Sequence, residues 1–492
     1  MSMETFAARR AVRPLGLLRA AGVVAAGALA GLTLAVPLAA WPAFTLVSLI
    51  VATILVAAVR HPTGALVAAV VLFMCEGTVK VLLTNTGMPL GAGPLPVGAA
   101  LIDAALFGAM LAVLVRVRPA EWRGMVGGLS RPERAVLALG VAWLLLSGVQ
   151  VLTSPSLQDA LESLRLTQAY LLLIPATCVA VMRVRRLDGL LRGLLTGLLL
   201  VMAYATVRGI IGAHPAEEAF SVGRGVVTHY GGVFRAIGTF SGAVGLSSAA
   251  APVAVFALVL GALLPQQRVL GLATGAFALG AVVVSYGRTP LAATVIGLVF
   301  ACVFVLTTGL HGHRRLAVVR TMTGAVAVLA AGAVAASFAA PALGERLEGL
   351  ARPWADESMQ LRYETWEREL STLGEQPLGR GLGTIGRASG LRTGEPVTTD
   401  SSYLKILLEQ GFPGLVLFLG ALLWGTFLIA RRLKSAPAST RGVGVAALSG
   451  LACFMAFMGT GETIEQPGKV VAWTLLGLAI AAAWSDELRI GE

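Results

Sequence analysis

The sequence predicts an all-α polytopic membrane protein with about 12–14 transmembrane helices. The first reason is composition: of 492 residues, 56% are apolar and only 13% are charged, and the mean hydropathy is +0.81. Soluble domains carry about 25% charged residues, so an ordinary soluble enzyme is excluded, and so is a disordered chain. The second is that the apolar residues form long unbroken runs. A run of about 20 crosses the hydrocarbon core as a helix, whereas a β-barrel shows short alternating segments. The third is that Lys and Arg fall in every second loop, as they do when basic loops stay in the cytoplasm.

Fourteen apolar segments qualify as spans: 16–38, 42–59, 63–84, 97–115, 134–153, 164–182, 189–211, 246–264, 268–286, 290–308, 319–339, 402–430, 442–460 and 467–485. The count drops to 12 if short pairs are re-entrant. Before the first span stand Arg9, Arg10 and Arg13, as in a signal-peptide leader, but no clear cleavage site follows, so a retained helix is expected. Basic clusters occupy 116–134 (Arg116, Arg118, Arg123, Arg131, Arg134), 183–192 (Arg183, Arg185, Arg186, Arg192), 309–320 and 431–441. The intervening loops 39–41, 85–96 and 154–163 carry no Lys or Arg. This alternation predicts both termini in the cytoplasm and divides the chain into N-terminal helices (1–211), a first extracytoplasmic loop (212–245), central helices (246–339), a large extracytoplasmic loop (340–401) and C-terminal helices (402–492).

The net charge of +12 would suggest a nucleic-acid partner in a soluble protein. Here the basic loops account for it; membrane lipids are the expected partner, and nucleic acid is not. The cysteines Cys75, Cys178, Cys302 and Cys453 lie singly in apolar runs without metal-ligand spacing, and read as small core residues. No metal site and no cofactor are expected.

The two long outer loops are exceptional in carrying Arg. Within 340–401, the stretch ADESMQLRYETWERELS (355–371) places Leu361, Trp366 and Leu370 at near-helical spacing. It predicts an amphipathic helix lying on the membrane or capping a cavity. QPLGRGLGTIGRASG (376–390) follows, a Gly-rich stretch suited to close approach to a ligand. It lacks the GK[ST] of a P-loop. TTDSSYLKILLEQGFPGL (398–415) then runs from polar residues straight into a span. Asp400 stands near the start of that helix, where an N-cap role and a catalytic role are both open. Glu409, inside the span, should face protein rather than lipid. Glu76 and Lys80, at i,i+4, should pair. Arg288 in SYGRTP, Arg235 in FRAIGTFSG, and Arg165, Arg208, Arg362 and Arg380 all fall on the outer side. Arginines gathered there suit bidentate binding of phosphate, which on an outer membrane face suggests a lipid-linked phosphate or diphosphate.

Arg362 and Trp366, then PLGRGLGTIG (377–386) and DSSYLKILLEQGFPGL (400–415), are similar to the signature region of the O-antigen ligase and polymerase superfamily. FRAIGTFSGAVGLSSAAAP (234–252) and SYGRTPLAA (285–293) resemble its other motifs, in the same order. The resemblance covers roughly 200–430. It implies an inverting, metal-independent glycosyltransferase of the C-type membrane architecture. The donor would be an undecaprenyl-diphosphate-linked glycan, the acceptor a glycan or lipid-linked molecule, and a flippase and a chain-length regulator are candidate partners. In that picture Asp400 and Arg288 are catalytic, and Arg235, Arg362, Arg380, Trp366 and Tyr403 bind substrate. Ligases of the superfamily typically have His where this chain has Asp400, and the outer-loop His214 and His229 do not match that position, so the reading leans to a polymerase of the bacterial inner membrane. A flippase is the rival from another class, but the halves 1–245 and 246–492 show no convincing repeat and intramembrane charge is sparse. A non-catalytic scaffold leaves the Arg, Trp and Asp content of 340–401 without a purpose.

Overall fold

A computed structural model describes residues 42–84, 94–184, 187–222, 229–230, 233–310, 312–339, 357–390 and 397–484. The expected first span 16–38 lies outside these residues. Among the described residues eleven helices are long and apolar enough to cross a membrane, and a bent pair makes a twelfth. The polytopic all-α expectation therefore holds.

The spanning helices, in order, are α1 (Pro42–Arg60), the bent pair α2 (Pro62–Phe73) and α3 (Glu76–Thr84), α4 (Pro94–Leu114), and, after the short α5 (Pro119–Gly127), α6 (Arg131–Thr153). The next span is broken into α7 (Leu157–Thr167), a 3-10 turn and α8 (Leu173–Arg183). It is followed by α9 (Leu187–Ile211), the short α10 (Pro215–Val222) and a two-residue hairpin, β1 (His229–Tyr230) and β2 (Val233–Phe234). Helices α11 (Ala243–Leu263), α12 (Arg268–Val284), α13 (Arg288–Thr307) and α14 (His313–Ala339) lead to α15 (Glu357–Ser371), the helix read from sequence in the outer loop. Three helices complete the chain: α16 (Ser402–Arg432), α17 (Ala438–Met458) and α18 (Gly468–Trp484).

Apolarity on every side marks a helix that is buried all round. Helix α11 is such a helix; almost all its residues are buried against α12, α13, α17 and α18. Helix α17 is buried nearly as fully. By contrast α6 shows most of its surface outward and packs chiefly on α16.

The irregular stretches are those that serve the site. Helices α2 and α3 meet at 62°. The amides freed there, of Gly77 and Thr78, both donate to the Thr239 carbonyl at 2.8 and 3.2 Å. The Thr239 hydroxyl returns a bond to the Met74 carbonyl at 2.6 Å. A broken helix at membrane depth is tolerated when protein groups satisfy it in this way. Helix α16 kinks at Gly411, whose φ is +67°. Pro413 has no N–H for the Glu409 carbonyl. The Gly381 N–H takes that place at 3.0 Å, the Arg380 N–H takes the Leu408 carbonyl at 2.9 Å, and Phe412 N–H turns to Pro377 O at 3.2 Å.

The two ends of the bundle differ in kind. One gathers Arg60, Arg116, Arg183, Arg268, Arg432 and Arg441, with few acids. The other gathers α3, α7, the hairpin, the Ser285–Arg288 turn, α15, the Gly-rich loop and the turn between α17 and α18, where cations and carboxylates are mixed.

Candidate functional site

The site end is built around the start of α16. Of the two roles open for Asp400, the N-cap falls to Ser401, which accepts from Leu404 N–H at 3.3 Å. Asp400 stands one residue outside, with φ +51°. Its carboxylate is half-exposed and accepts from Arg362 Nε at 3.0 Å. Arg362 is on α15, and Trp366, one turn later, donates from Nε1 to the Thr399 carbonyl at 2.5 Å. Helix α15 thus grips the residues on either side of the Thr399–Asp400 peptide. Its inward face is Arg362, Trp366 and Glu369, rather than the expected apolar stripe. Of that stripe only Trp366 packs inward, against Ile385, Leu404 and Leu408, while Leu361 and Leu370 are exposed.

Behind Asp400 the packing is charged and dry. Lys405 Nζ lies 2.7 Å from Glu409 and 3.0 Å from Glu465, and donates to the Ile385 carbonyl at 2.6 Å. Glu409, expected to face protein, is buried and accepts from the amides of Gly383 (2.8 Å) and Ile385 (3.2 Å) and from the Ser163 hydroxyl (3.4 Å). One carboxylate in a spanning helix thereby shapes the Gly-rich loop. Gly383, at φ +79°, fits so closely that a Cβ would stand 2.3 Å from the Asp159 carbonyl carbon. Glu465 accepts from Arg387 N–H at 2.8 Å, and Arg387 Nη2 donates to Gln466 at 2.7 Å. Glu462 accepts from both the amide (2.7 Å) and the hydroxyl (3.0 Å) of Thr399.

The two acids of the turn between α17 and α18 are driven apart. Burial, reinforced by the Glu465 carboxylate, pushes Glu462 up to about 7. Burial also opposes ionisation of Glu465, but the Lys405 ammonium and the Arg387 N–H outweigh it and hold that carboxyl below its usual range.

The remaining predicted residues fall into two groups. Arg235 donates from Nε to the Ser285 carbonyl at 3.1 Å, so its segment is tied to the turn that carries Arg288. The next residue, Ala236, bonds through its amide to the Val284 carbonyl at 3.0 Å. Tyr286 in that turn has φ +52°. Tyr286 and Asp400 are the two non-glycine residues with positive φ among those described, and both lie in the motifs singled out from sequence. Such backbone persists only where surroundings impose it, and it clusters at functional sites. From Arg235 and Ala236 the chain passes to Ser241, whose hydroxyl bonds Glu76 at 2.8 Å. Glu76 pairs with Lys80 as expected.

The other group is committed to packing. Arg380 is held by Glu369 at 2.7 Å and by the Thr372 hydroxyl, fastening the Gly-rich loop to α15. The Tyr403 hydroxyl donates to the Met455 carbonyl at 2.8 Å, joining α16 to α17. Arg165 pairs with Asp103 and Glu162, and Arg208 with Glu217 at 3.2 Å.

Sequence reasoning did not single out Lys405, Arg387, Glu462 or Glu465. A signal existed in the i,i+4 pair Lys405–Glu409 inside an apolar run, and in GETIEQPGK (461–469), charged residues crowded between two spans.

No curated protein matches the chain significantly. Residues 273–419, from α12 through the Gly-rich loop to the kink of α16, match the profile of the family described as O-antigen ligase. That segment contains Arg288, the Arg362–Asp400 pair and the loop behind it, and through it the chain is similar to the O-antigen ligase family.

Proposed function

We propose that this chain is a glycosyltransferase that transfers a glycan from an undecaprenyl-diphosphate-linked donor to an acceptor hydroxyl at the extracytoplasmic face of the bacterial inner membrane. The observation that carries the reading is the Arg362–Asp400 pair: a half-exposed carboxylate on a left-handed backbone, oriented by a guanidinium and backed by a fully buried ionic scaffold. Asp400 accepts the acceptor's proton as that oxygen bonds the donor's anomeric carbon. The bond from that carbon to the diphosphate breaks, and the diphosphate departs with the electron pair. Attack opposite the leaving group inverts the centre and asks no metal of the protein. General-base help is worth about 10²–10⁴-fold, and each well-placed group on the leaving diphosphate a few kcal/mol. Arg235 and Arg288, brought together by the bond from Arg235 to the Ser285 carbonyl, are the candidates for the diphosphate, and Arg362 orients the base. The Arg-rich opposite end supports placing the site outside.

A polymerase, extending a lipid-linked glycan with repeat units, is the reading that an Asp at position 400 supports. The family description supports the second, a ligase passing the glycan to a separate acceptor. Purified protein with a short undecaprenyl-diphosphate-linked repeat unit separates the two. A polymerase gives a ladder of lipid-linked multiples, lost in Asp400→Asn. Transfer only when a separate acceptor is added establishes the ligase. Wild-type product from Asp400→Asn and from Arg288→Gln alike refutes the site.

A further inference from the structure

At the Arg-rich end, opposite Asp400, the described N-terminal helices leave a gap between them. The end of α1, the start of α2, the residues after α4, the end of α8 and the start of α9 surround a cavity of about 680 Å³. Its rim is cationic: Arg60, Arg116 and Arg183 all line it, with His61 beside them. The protein fixes two of these guanidiniums. Arg116 donates to the Val59 carbonyl, and Arg183 donates to the Arg116 carbonyl at 3.0 Å and to Glu121 at 2.5 Å. Helix α2 starts in the same wall with no side-chain cap at His61, so its N-terminal dipole adds positive potential.

Below the rim the wall changes character. Val67, Val113 and Leu190 make it apolar. Gly64 and Gly189 keep it open, since a Cβ on either would meet nothing within 4 Å. A soluble anion would use the rim and have no use for the wall. A choline head group would bring a cation to three arginines. The pairing of basic rim and apolar wall between spanning helices suits one ligand class, in which a phosphate takes bidentate bonds and acyl chains follow the wall. We infer that this cavity binds an anionic phospholipid, its phosphate held by Arg60, Arg116 and Arg183 and its chains lying along Val67, Val113 and Leu190. The lipid bridges five helices of the N-terminal half and belongs to the leaflet opposite the glycan site.

The test uses full-length protein, stripped of lipid in detergent. It is offered phosphatidylglycerol, phosphatidylcholine or inorganic phosphate, and bound lipid is counted by native mass spectrometry alongside thermal unfolding. Phosphatidylglycerol should be retained and raise the unfolding midpoint, while phosphatidylcholine and phosphate do neither. Two variants attack the rim and the wall separately. Arg60→Gln removes a charge. Gly189→Leu fills the open space at a helical position where leucine is the better helix former, so folding is preserved. Each should weaken phosphatidylglycerol retention about tenfold, the size of one charge-assisted contact. Equal retention of phosphatidylcholine overturns the inference, as does wild-type retention in both variants. Complete displacement of the lipid by inorganic phosphate reduces the cavity to a simple anion site and overturns it too. None of these readouts depends on transferase activity.

Discussion

Asp400 and Lys405 stand five residues apart in the chain, and each belongs to an ion pair, but the two pairs sit in different surroundings. In Arg362–Asp400 the side chains are 24% and 50% exposed. In Lys405–Glu409 they are 1% and 3% exposed, and Glu465, the second carboxylate on Lys405, is fully covered. An exposed pair contributes about 0–1 kcal/mol to stability, so Arg362–Asp400 does little to hold the fold; in the proposed function it orients the base. A buried pair is different. Its charges have lost their water, and removing one partner leaves the other uncompensated at a cost of about 3–5 kcal/mol. The Lys405 cluster is therefore architecture. It fixes the Gly-rich loop and the turn between α17 and α18, from which the Asp400 turn hangs through Thr399.

The sharpest way to break this contrast is Lys405→Met. It strands Glu409 and Glu465 in a dry interior, and should lower stability by about 3–5 kcal/mol. The yield of monodisperse protein in detergent should collapse, and with it activity. Lys405→Met combined with Glu409→Gln leaves one carboxylate stranded instead of two and should recover part of the yield. A folded, fully active Lys405→Met protein would show that the cluster is ornamental.

Asp400→Ala should do the reverse. Turnover should fall by about 10²–10⁴-fold, while the unfolding midpoint moves by no more than an exposed pair allows. Arg362→Gln should lose less turnover, because the carboxylate remains and only its orientation is relaxed. Equal losses of stability in Asp400→Ala and Lys405→Met would erase the distinction between the pairs.

Glu462 provides a pH test of the scaffold alone. Its carboxyl titrates near 7 when folded and near 4.5 when unfolded. Between these values the folded state binds more protons, so stability should fall as pH rises from about 4.5 to 7, then level off. The slope is at most about 1.4 kcal/mol per pH unit, one proton's worth. Glu465, held below its usual range, acts oppositely, and its contribution is lost only as pH falls below 4.5. Glu462→Gln should abolish the slope between pH 5 and 7 in thermal unfolding; an unchanged slope would assign it to other groups.

The spans were legible because run length and loop charge are local properties. Glu409 facing inward was legible for the same reason, as lipid excludes a carboxylate wherever its partners come from. What was hidden depends on distant chain. The bend between α2 and α3 is held by Thr239, and Lys405 finds Glu465 only after α16 and α17 have folded back. Sidedness gave the height of each arginine in the membrane but not its direction around the bundle. For that reason Arg165 and Arg208 could be grouped with the site arginines, yet they close on the local acids Glu162, Asp103 and Glu217. The Gly-rich loop was legible as close-packed backbone. Its partner, the opened ladder of α16 at Gly411, needed the Pro413 argument joined to a second segment.

The smallest expected effect lies where the two pairs meet. Trp366 contacts neighbours of both: its ring packs on Ile385, Leu404 and Leu408, beside Lys405 and Glu409 in the chain, and its Nε1 holds the Thr399 carbonyl next to Asp400. Trp366→Phe keeps most of the apolar contact and deletes the hydrogen bond, worth about 1 kcal/mol. If the bond serves the fold, the loss appears as a lower unfolding midpoint with unchanged turnover. If it serves to keep the Asp400 backbone at positive φ, folding is nearly unchanged and turnover falls about fivefold at saturating donor. The second outcome is expected, because Thr399 is already secured from below by Glu462 through two bonds. The Trp366 bond is then the second restraint on Thr399, from the α15 side. Trp366→Leu, which also removes the ring, should add a stability loss absent from Trp366→Phe, separating the packing from the hydrogen bond in a single side chain.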